Sequence, residues 1–291
     1  MAPRERRGIY NYRGKFIAPE AFREQMRYVA KHYSVLELDD AMKRLRSGTL
    51  PAYSIAITFD DGYRNFYEHA YPILRELHIP ATMFLATDFV LRKKPLWVDR
   101  LEYALGKGSG STEEKIARDT RTRQELKELP DAEREAQLAS LERQASVSFT
   151  DFEGERVVYA PLSPEEIREM RSHGISFGAH TKSHPILSRI ERSRLDEEIA
   201  GSRDELQRLC GTSSVFAYPN GQREDWNDDV EAAIRKAGFS AALTTIEGCN
   251  TTKTPLQRLR RIAMDGTGLD PSFAAIAAGM RGYLRTLRSY V

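Results

Sequence analysis

The sequence predicts an α/β fold, a distorted (β/α) barrel, and three observations carry that prediction. Along most of the chain, apolar runs rich in β-branched residues alternate with helical periodicity, which is the pattern of parallel βαβ units. The 291 residues suffice for one large domain, and no internal repeat divides them, so residues 1–291 are interpreted as a single domain. The composition, 41% hydrophobic and 30% charged, is typical of a globular protein and excludes a disordered chain.

Apolar spacing, proline and glycine define the elements of the first third of the chain. Phe22, Met26 and Val29 recur at helical spacing behind Pro19, and Gly48 ends a second helical pattern. In chain order the predicted elements are helix Pro19–Lys31, strand Ser34–Leu36, helix Leu38–Ser47, strand Ile55–Phe59, helix Asn65–Leu77 and strand Thr82–Ala86.

A charged stretch at about residues 92–160 interrupts the alternation. It is rich in Glu, Arg and Lys and carries only thin leucine stripes, which favours a helical insertion between two barrel strands. A solvated helical face and a cap over a substrate are both open interpretations of it. The alternation then resumes with helix Pro164–Ser172, strand Ile175–Ala179, helix Ser193–Leu209, strand Val215–Tyr218, helix Asp228–Lys236, strand Ala241–Thr244, strand Leu259–Met264 and helix Ser272–Tyr283.

Charge and cysteine content exclude several classes of protein. The chain has 44 Lys and Arg against 42 Asp and Glu, a net charge of +2, which argues against a dedicated nucleic-acid binder. Its two cysteines, Cys210 and Cys249, cannot make a disulfide-stapled scaffold or a Cys-rich zinc module, and two buried free thiols are expected.

The sequence also bears on membranes and location. No apolar stretch approaches the ~20 residues that a membrane span needs, so no transmembrane segment is expected. The N-terminus carries positive charge without an apolar region, so it is not a secretory signal as written. The expected location is therefore cytoplasmic for the chain as written, and the periplasm or cell envelope if the N-terminus is truncated.

The first motif with chemical content is Thr58–Gly62, T-F-D-D-G, at the end of a buried strand. In a (β/α) barrel, catalytic side chains gather at the carboxyl ends of the strands. Adjacent carboxylates repel each other when buried, and a divalent cation relieves that repulsion by taking one of them as a ligand. A solvated Asp-Asp-Gly turn is the alternative interpretation.

The second motif is His180–His184, H-T-K-S-H, which follows the strand Ile175–Ala179. Two histidines at i and i+4 face the same way if the segment forms one helical turn. Imidazole nitrogen suits zinc and its neighbours, and with Asp61 the pair makes a two-His, one-Asp site that leaves a coordination position open for water.

The third motif is Phe216–Gly221, F-A-Y-P-N-G, again at a strand end. Proline and glycine predict a tight turn there. Such a turn can aim backbone N–H groups at a developing oxyanion, and a plain strand-exit turn is the alternative.

These three motifs, in this order, resemble the polysaccharide deacetylase family, also called the NodB-homology family or carbohydrate esterase family four. The resemblance covers about Pro19–Val90 and Leu162–Met264, including Tyr71-Pro72 and Pro80-Ala81-Thr82. It implies a barrel of the NodB-homology type. The F-A-Y-P-x-G form is similar to the subgroup that acts in exopolysaccharide pathways.

The resemblance implies a role for each matching residue. Asp61, His180 and His184 would hold a divalent metal, with Zn²⁺ the expected ion, and Asp60 would be the general base. The backbone N–H of Asn220 would be a second oxyanion donor. Tyr218 and Pro219 in the same turn, and Trp97 at the start of the insertion, are candidate substrate-binding residues; packing is the alternative for Trp97.

The chain departs from the family pattern in three places. Ala217 stands where the family usually has an arginine that orients the base. The late Leu-x-His motif, which supplies the acid, is absent, and Leu259–Ile262 resembles the Arg-Ile pattern of the subgroup instead. Relatives begin with a strand bearing Tyr-His, whereas here only Ile9–Tyr12 precedes the first helix, so we expect that the chain starts late. The arginines of the cluster Arg258, Arg260 and Arg261 are expected to be solvated, with steering of an anionic polymer as the alternative.

The function implied by the resemblance is a metal-dependent hydrolase that removes N-acetyl groups from an amino-sugar polysaccharide or oligosaccharide and releases acetate. Two alternatives stay open: a catalytically impaired carbohydrate-binding barrel, and a deacylase of a non-glycan amide. An intact Asp60 favours an enzyme over a binding module, because a binding module has no use for an unligated carboxylate beside a metal. The expected partner is an N-acetylated glycan; the oligomeric state is left open.

Overall fold

Parallel strands make the centre of the molecule, which is described from a computed structural model over residues 9, 11–147, 159–211, 214–264 and 271–279. In chain order the strands are β1 (Ser34–Val35), β2 (Ser54–Ile55), β3 (Ile57–Phe59), β4 (Ala81–Leu85), β5 (Ile175–Ala179), β6 (Val215–Ala217), β7 (Ala241–Glu247) and β8 (Leu259–Arg261). Strands β3 to β8 form one sheet in sequential order, and β1 pairs with β2 in a smaller one. All these pairings are parallel.

Helices surround the sheet and return the chain from one strand to the next. They are α1 (Pro19–His32), α2 (Leu38–Ser47), α3 (Tyr71–Glu76), α4 (Thr87–Arg92), α5 (Trp97–Lys107), α6 (Thr112–Glu128), α7 (Asp131–Gln144), α8 (Pro164–Ser172), α9 (Arg192–Cys210), α10 (Asp228–Lys236) and α11 (Pro271–Ala277). Within the described residues β3 and β8 do not pair with each other, so the predicted (β/α) barrel is present as a curled half-barrel.

The core lies between the sheet and its helices. Every residue of β4 is buried, as expected for a parallel strand that is covered on both faces. Phe22, Met26 and Val29, the stripe that predicted α1, all join the main apolar cluster. The sheet therefore holds its strand ends on a rigid, fully packed base.

The structure differs from the predicted elements where local geometry interrupts a pattern. The predicted helix Asn65–Leu77 begins as a wide π-type turn over Phe66–Ala70 before α3. The predicted strand Ile55–Phe59 is divided at Ala56, and the last strand ends at Arg261 instead of Met264. The part of the predicted last helix beyond Gly279 lies outside the described residues.

The insertion forms a helical layer of its own from α5, α6 and α7. A capping box between Ser111 and Glu114 starts α6. The leucines that looked like thin stripes make a separate buried cluster with Trp97 and Ile9; its leucines are Leu101, Leu105, Leu126 and Leu138. Residues 148–158 of the predicted insertion lie outside the described residues.

The two cysteines are both free, as expected, but only Cys210 is buried. Burial raises the pKa of the Cys210 thiol to about 11, so it is an unreactive neutral group. The expectation that Cys249 is buried was wrong, since its side chain is exposed. In the described part of the chain no helix is both long enough and apolar enough to cross a membrane.

Gly178 in β5 provides a test of how tightly the central sheet is packed. A Cβ there would overlap the ring of Phe84 and lie 3.0 Å from Val215 Cγ2. We expect Gly178→Ala to lower the free energy of unfolding by about 1–3 kcal/mol, because overpacking forces neighbours to shift. Gly106→Ala in α5 is the control: its Cβ would meet Ile9 at an ordinary 3.5 Å. That control should stabilise the protein by up to about 1 kcal/mol. Urea unfolding of both variants measures the difference, and equal stabilities would contradict the expected strain.

Candidate metal centre and active site

Polar side chains from three strands meet at the carboxyl-end edge of the half-barrel. Asp60 and Asp61 directly follow β3, His180 directly follows β5, and Arg261 is the last residue of β8. This edge is where parallel (β/α) folds place their catalytic groups, because all strands end there together.

Asp61, His180 and His184 converge as the sequence predicted. Asp61 Oδ1 lies 3.5 Å from His180 Nε2 and 3.4 Å from His184 Nε2. All three potential ligand atoms lie within 4.8 Å of one another. Tetrahedral zinc with bonds of about 2.1 Å has ligand atoms ~3.4 Å apart, so the arrangement fits a zinc-sized cation.

The backbone that aims these ligands is a loop with left-handed residues. The two histidines converge without a helical turn over His180–His184, because Thr181 has φ 65° and His184 has φ 59°. Asp61 is also left-handed, at φ 77°. Such conformations cost of order 1–3 kcal/mol each and persist only where the surroundings impose them, which is common at functional sites.

Buried polar groups hold this histidine loop in place. Glu198 of α9 accepts hydrogen bonds from the backbone N–H groups of Lys182 (3.0 Å) and Ser183 (2.9 Å). Thr181 Oγ1 accepts one from the N–H of His184 at 3.0 Å. The loop is therefore anchored to a helix outside the sheet, and its two imidazoles are held before any metal arrives.

The orientation of His180 is set by a backbone carbonyl. Its Nδ1 lies 2.7 Å from the carbonyl oxygen of Ala217, so Nδ1–H donates there and Nε2 is directed to Asp61. A hydrogen bond from the ring nitrogen that does not face the metal is usual for a metal-binding histidine. Residue 217 thus contributes its backbone carbonyl oxygen, which any residue type would provide at this position.

The pKa values of Asp61, His180 and His184 shift in different directions because the surroundings of the three groups differ. Burial lowers the pKa of His184 to about 4, with smaller contributions from the nearby charges of His180 and Arg134, so its imidazole is neutral and free to bind a metal. For His180, burial is outweighed by the hydrogen bond with Asp61 and the two carboxylates, and its pKa is raised. The pKa of Asp61 is lowered, against the effect of burial, chiefly by the two histidines.

Asp60 is bound by an arginine that the sequence analysis assigned to the solvent. Arg261 Nη1 donates to Asp60 Oδ1 at 2.7 Å, and Nε donates to the carbonyl oxygen of Thr244 at 2.9 Å. Burial would raise the pKa of Asp60, but Arg261 and His180 together lower it, so the carboxylate is ionised. The expectation of a solvated Arg261 was wrong; its similarity to the Arg-Ile pattern was the signal that pointed to the site.

Within the described residues, the other two arginines of that cluster do not pair with Asp60. Arg258 forms an ion pair with Glu231 of α10, whereas Arg260 is exposed and borders the cavity that contains Asp60. Only Arg261 therefore acts directly on the carboxylate of Asp60.

Asn220 lies in a tight turn after β6. It is left-handed, at φ 58°, and its carbonyl oxygen accepts a hydrogen bond from Thr245 Oγ1 at 2.5 Å. Among the hydrogen bonds of the described residues, none is donated by the Asn220 backbone N–H, and the buried Nδ2 has no partner there either. The backbone N–H is thus unpaired within the described residues, whereas Nδ2 is enclosed by the protein.

Three side chains that were candidates for substrate binding are buried instead. Tyr218 is 1% exposed and donates its hydroxyl to the carbonyl of Gln257 at 2.9 Å. Pro219 is buried beside it, and Trp97 is 3% exposed within the core of the insertion. Sugar stacking needs an accessible ring face, so these assignments are corrected: the three side chains pack.

A cavity of about 630 Å³ opens between β3 and β8 beside the metal ligands. Asp60, Asp61, Tyr63 and Arg261 line its polar end, and apolar side chains of α1 and α2 line the rest.

Lys15, which no motif identified, also lines this cavity. Its Nζ donates to Asp99 Oδ1 at 2.7 Å and lies 5.0 Å from the ring centre of Tyr159. Burial opposes its charge, but Asp99 and Glu102 raise the pKa of Lys15, so the cavity holds a permanent ammonium group.

Comparison with known proteins agrees with this geometry. The sequence profile of the polysaccharide deacetylase family matches residues 47–242. The Bacillus subtilis protein YxkH is 20% identical over 268 residues, which are 91% of this chain and 71% of that protein. A poly-beta-1,6-N-acetyl-D-glucosamine N-deacetylase of Staphylococcus epidermidis is 33% identical over 75 residues, about a quarter of each chain.

Two solved structures share the fold. The Streptococcus pyogenes deacetylase PplD, in complex with acetate, superimposes with a TM-score of 0.61 at 22% identity, over 89% of this chain and 85% of that one. IcaB from Ammonifex degensii gives a TM-score of 0.59 at 18% identity, over 90% and 89%. With the family profile matched across the strands that hold the Asp-His-His cluster, the chain belongs to the polysaccharide deacetylase family, whose members are hydrolases of carbon–nitrogen bonds in N-acetylated sugars.

Proposed function

We propose that this protein is a zinc-dependent deacetylase that removes N-acetyl groups from an amino-sugar polysaccharide or oligosaccharide. The observation that carries the proposal is that two neighbouring carboxylates have different surroundings. Asp61 lies with His180 and His184 at ligand distances, whereas Asp60 is outside that cluster and is held ionised by Arg261. A metal-dependent hydrolase of this kind uses a cation site together with a free base beside it.

The residues of the chain divide the reaction between them. Zn²⁺ held by Asp61, His180 and His184 would act as a Lewis acid on the acetamide carbonyl and on the attacking water. Asp60 accepts the proton of that water as it attacks the carbonyl carbon. The Asn220 N–H donates a hydrogen bond to the oxygen on which negative charge develops.

Asp60 also supplies the proton that the leaving amine needs. The C–N bond breaks only when the amine nitrogen receives a proton, and no histidine follows His184 in the sequence. Asp60, having taken the proton from water, delivers it to that nitrogen, because both sit on the same carbonyl carbon. The products are acetate and a free amino sugar.

Two observations support the substrate class. The family acts on N-acetylated glycans, and the 75-residue match is to an enzyme named for poly-beta-1,6-N-acetyl-D-glucosamine. The F-A-Y-P-N-G turn agrees with the exopolysaccharide type. We therefore infer that a polymer of N-acetylglucosamine of this kind is the substrate.

The proposal is tested by measuring acetate released from β-1,6-linked N-acetylglucosamine oligosaccharides. The metal-stripped protein should release none, and addition of one equivalent of zinc should restore release. If the zinc-loaded protein binds the oligosaccharide and releases no acetate, the chain is a binding barrel. If it releases acetate only from non-glycan amides, the substrate class is wrong.

Arg261 should control both the rate and the pH dependence of the reaction. We expect Arg261→Met to lower kcat by about 10²-fold, the cost of misplacing a catalytic group by ~1 Å. Because Arg261 lowers the pKa of Asp60, its loss raises that pKa and should move the acidic limb of the kcat/KM profile to higher pH.

The matched control is Arg121→Met, which removes the same charge from an exposed position of α6 that does not line the cavity. It should leave both the rate and the profile unchanged. An Arg261→Met enzyme with a normal pH profile would show that the contact with Asp60 plays no part in the chemistry.

A further inference from the structure

A second cavity, of about 410 Å³, lies between the insertion and the barrel. Its walls are α5 and α7 on one side and, on the other, Ser183 of the histidine loop together with Asp88 and Phe89 of α4. It is separate in its lining from the cavity that contains Asp60 and Asp61.

The wall of this second cavity carries buried nitrogen atoms that lack acceptors. Arg134 of α7 is 1% exposed, and its Nε and Nη1 have no hydrogen-bond partner within the described residues. The same is true of Nε1 of Trp97, which is 3% exposed. The guanidinium carbon of Arg134 lies 5.3 Å from the ring centre of Trp97, so these donors are neighbours. Leaving a buried charged donor unsatisfied is costly, which calls for an acceptor.

The charge around Arg134 is under-compensated, unlike that of its neighbours. Among the described residues its one ion-pair partner, Asp131, is shared with Arg194. Arg100, in the same wall, forms ion pairs with both Glu135 and Glu142.

The pKa values of Arg100 and Arg134 shift in opposite directions, in agreement with their different ion pairs. Against burial, Glu142 and Glu135 raise the pKa of Arg100. Burial lowers the pKa of Arg134 in spite of Asp131 and Glu135. Within the described residues, no second carboxylate forms an ion pair with Arg134.

We propose that Arg134 and Trp97 form a buried binding site for one small monovalent anion, a halide or a carboxylate. The anion accepts hydrogen bonds from Arg134 Nε and Nη1 and from Trp97 Nε1. It would fasten α7 of the insertion to the helix start at Trp97, beside the loop that carries the metal ligands. The site does not depend on the proposed function, although acetate, the product of that reaction, is one ligand of the right chemistry.

Trp97 itself provides the signal for the test. The chain has two tryptophans, so Trp226→Phe leaves Trp97 as the only one. Iodide is the probe, because it is a monovalent anion that quenches indole fluorescence on contact. We expect saturable quenching of this buried ring, weakened by about tenfold or more in Arg134→Met through the loss of charged hydrogen bonds.

Lys94→Met is the matched control. Lys94 lines the same cavity but is 63% exposed and paired with Asp88, so its loss should leave the quenching curve unchanged. Competition then identifies the ligand. Displacement of iodide by both chloride and acetate indicates a general anion site, and displacement by acetate alone indicates a carboxylate site.

A second measurement uses the protein with both tryptophans. Because an anion that binds only the folded state stabilises it, added chloride or acetate should raise Tm more in the wild type than in Arg134→Met. Arg134→Lys, which keeps the charge and loses the planar fork, replaces Arg134→Met if the latter does not fold. Quenching that is absent, or linear in iodide and equal in both proteins, would overturn the proposal and assign the cavity to water.

Discussion

Asp60→Asn is expected to lower kcat by about 10²–10⁴-fold, the usual contribution of a general base. The amide has nearly the shape of the carboxylate but cannot accept the proton of water. The zinc content should stay at one ion per chain, because Asp60 is not among the three groups that converge at ligand distance. Acetate release and elemental analysis of the same sample measure the two quantities together.

Asp204→Asn serves as the control for Asp60→Asn. It makes the same chemical change at an exposed position of α9, and both rate and zinc content should be unchanged. The opposite pattern is also informative. An Asp60→Asn protein that loses its metal and recovers activity in excess zinc would reverse the roles assigned to Asp60 and Asp61.

The pH profile of the wild type tests the second role of Asp60, the return of the proton to the amine. If Asp60 is both base and acid, kcat should show no basic limb near ~6.5, where an unperturbed imidazolium acid would lose its proton. A fall in kcat as the pH rises through that value would show that a histidine supplies the proton, which would contradict the proposed shuttle.

His180→Ala should abolish stoichiometric zinc binding and, with it, activity. The site would keep only two of the three converging groups, and Asp61 would lose one of the two imidazoles beside it. Changing residues that merely support metal ligands costs about 10–100-fold in affinity or activity, so removal of a ligand should exceed that range. Dialysis against a zinc buffer, followed by elemental analysis and an acetate-release assay, gives both results.

His32→Ala is the matched control for His180→Ala. His32 lies at the exposed end of α1, far along the chain from the cluster, and its loss should leave one zinc ion per chain. If His180→Ala keeps a full complement of zinc at the affinity of the wild type, the Asp-His-His cluster is not the metal centre.

Short-range patterns in the sequence predicted individual elements well. The helices Leu38–Ser47, Pro164–Ser172 and Asp228–Lys236 were predicted with the bounds that the structure has. Each ends or begins with a local signal: left-handed Gly48 after the first, a capping box at Ser163, and Asn227 as the N-cap of the third. Such signals act within a few residues, so they can be interpreted without knowledge of the fold.

The Asp-His-His cluster was predictable for a related reason. Asp61, His180 and His184 each follow an apolar strand, and the ends of parallel strands meet at one edge whatever the details of packing. The manner of their convergence was not predictable. The histidine loop is left-handed at Thr181 and His184 because Glu198 and Thr181 Oγ1 hold it so, and those contacts come from tertiary packing.

By itself, then, the sequence determined the alternation of strands and helices, the strand ends where the polar side chains gather, and the three residues of the Asp-His-His cluster. Only the tertiary structure decided what each long side chain does. Arg261 reaches Asp60 across 201 positions, while its neighbour Arg260 is exposed. Trp97 is closed inside the insertion, where it meets Arg134. Composition and spacing do not show which of these side chains is exposed and which has a partner inside the protein. An arginine or a tryptophan acquires its partner only when curvature of the sheet and packing of the helices bring distant segments together.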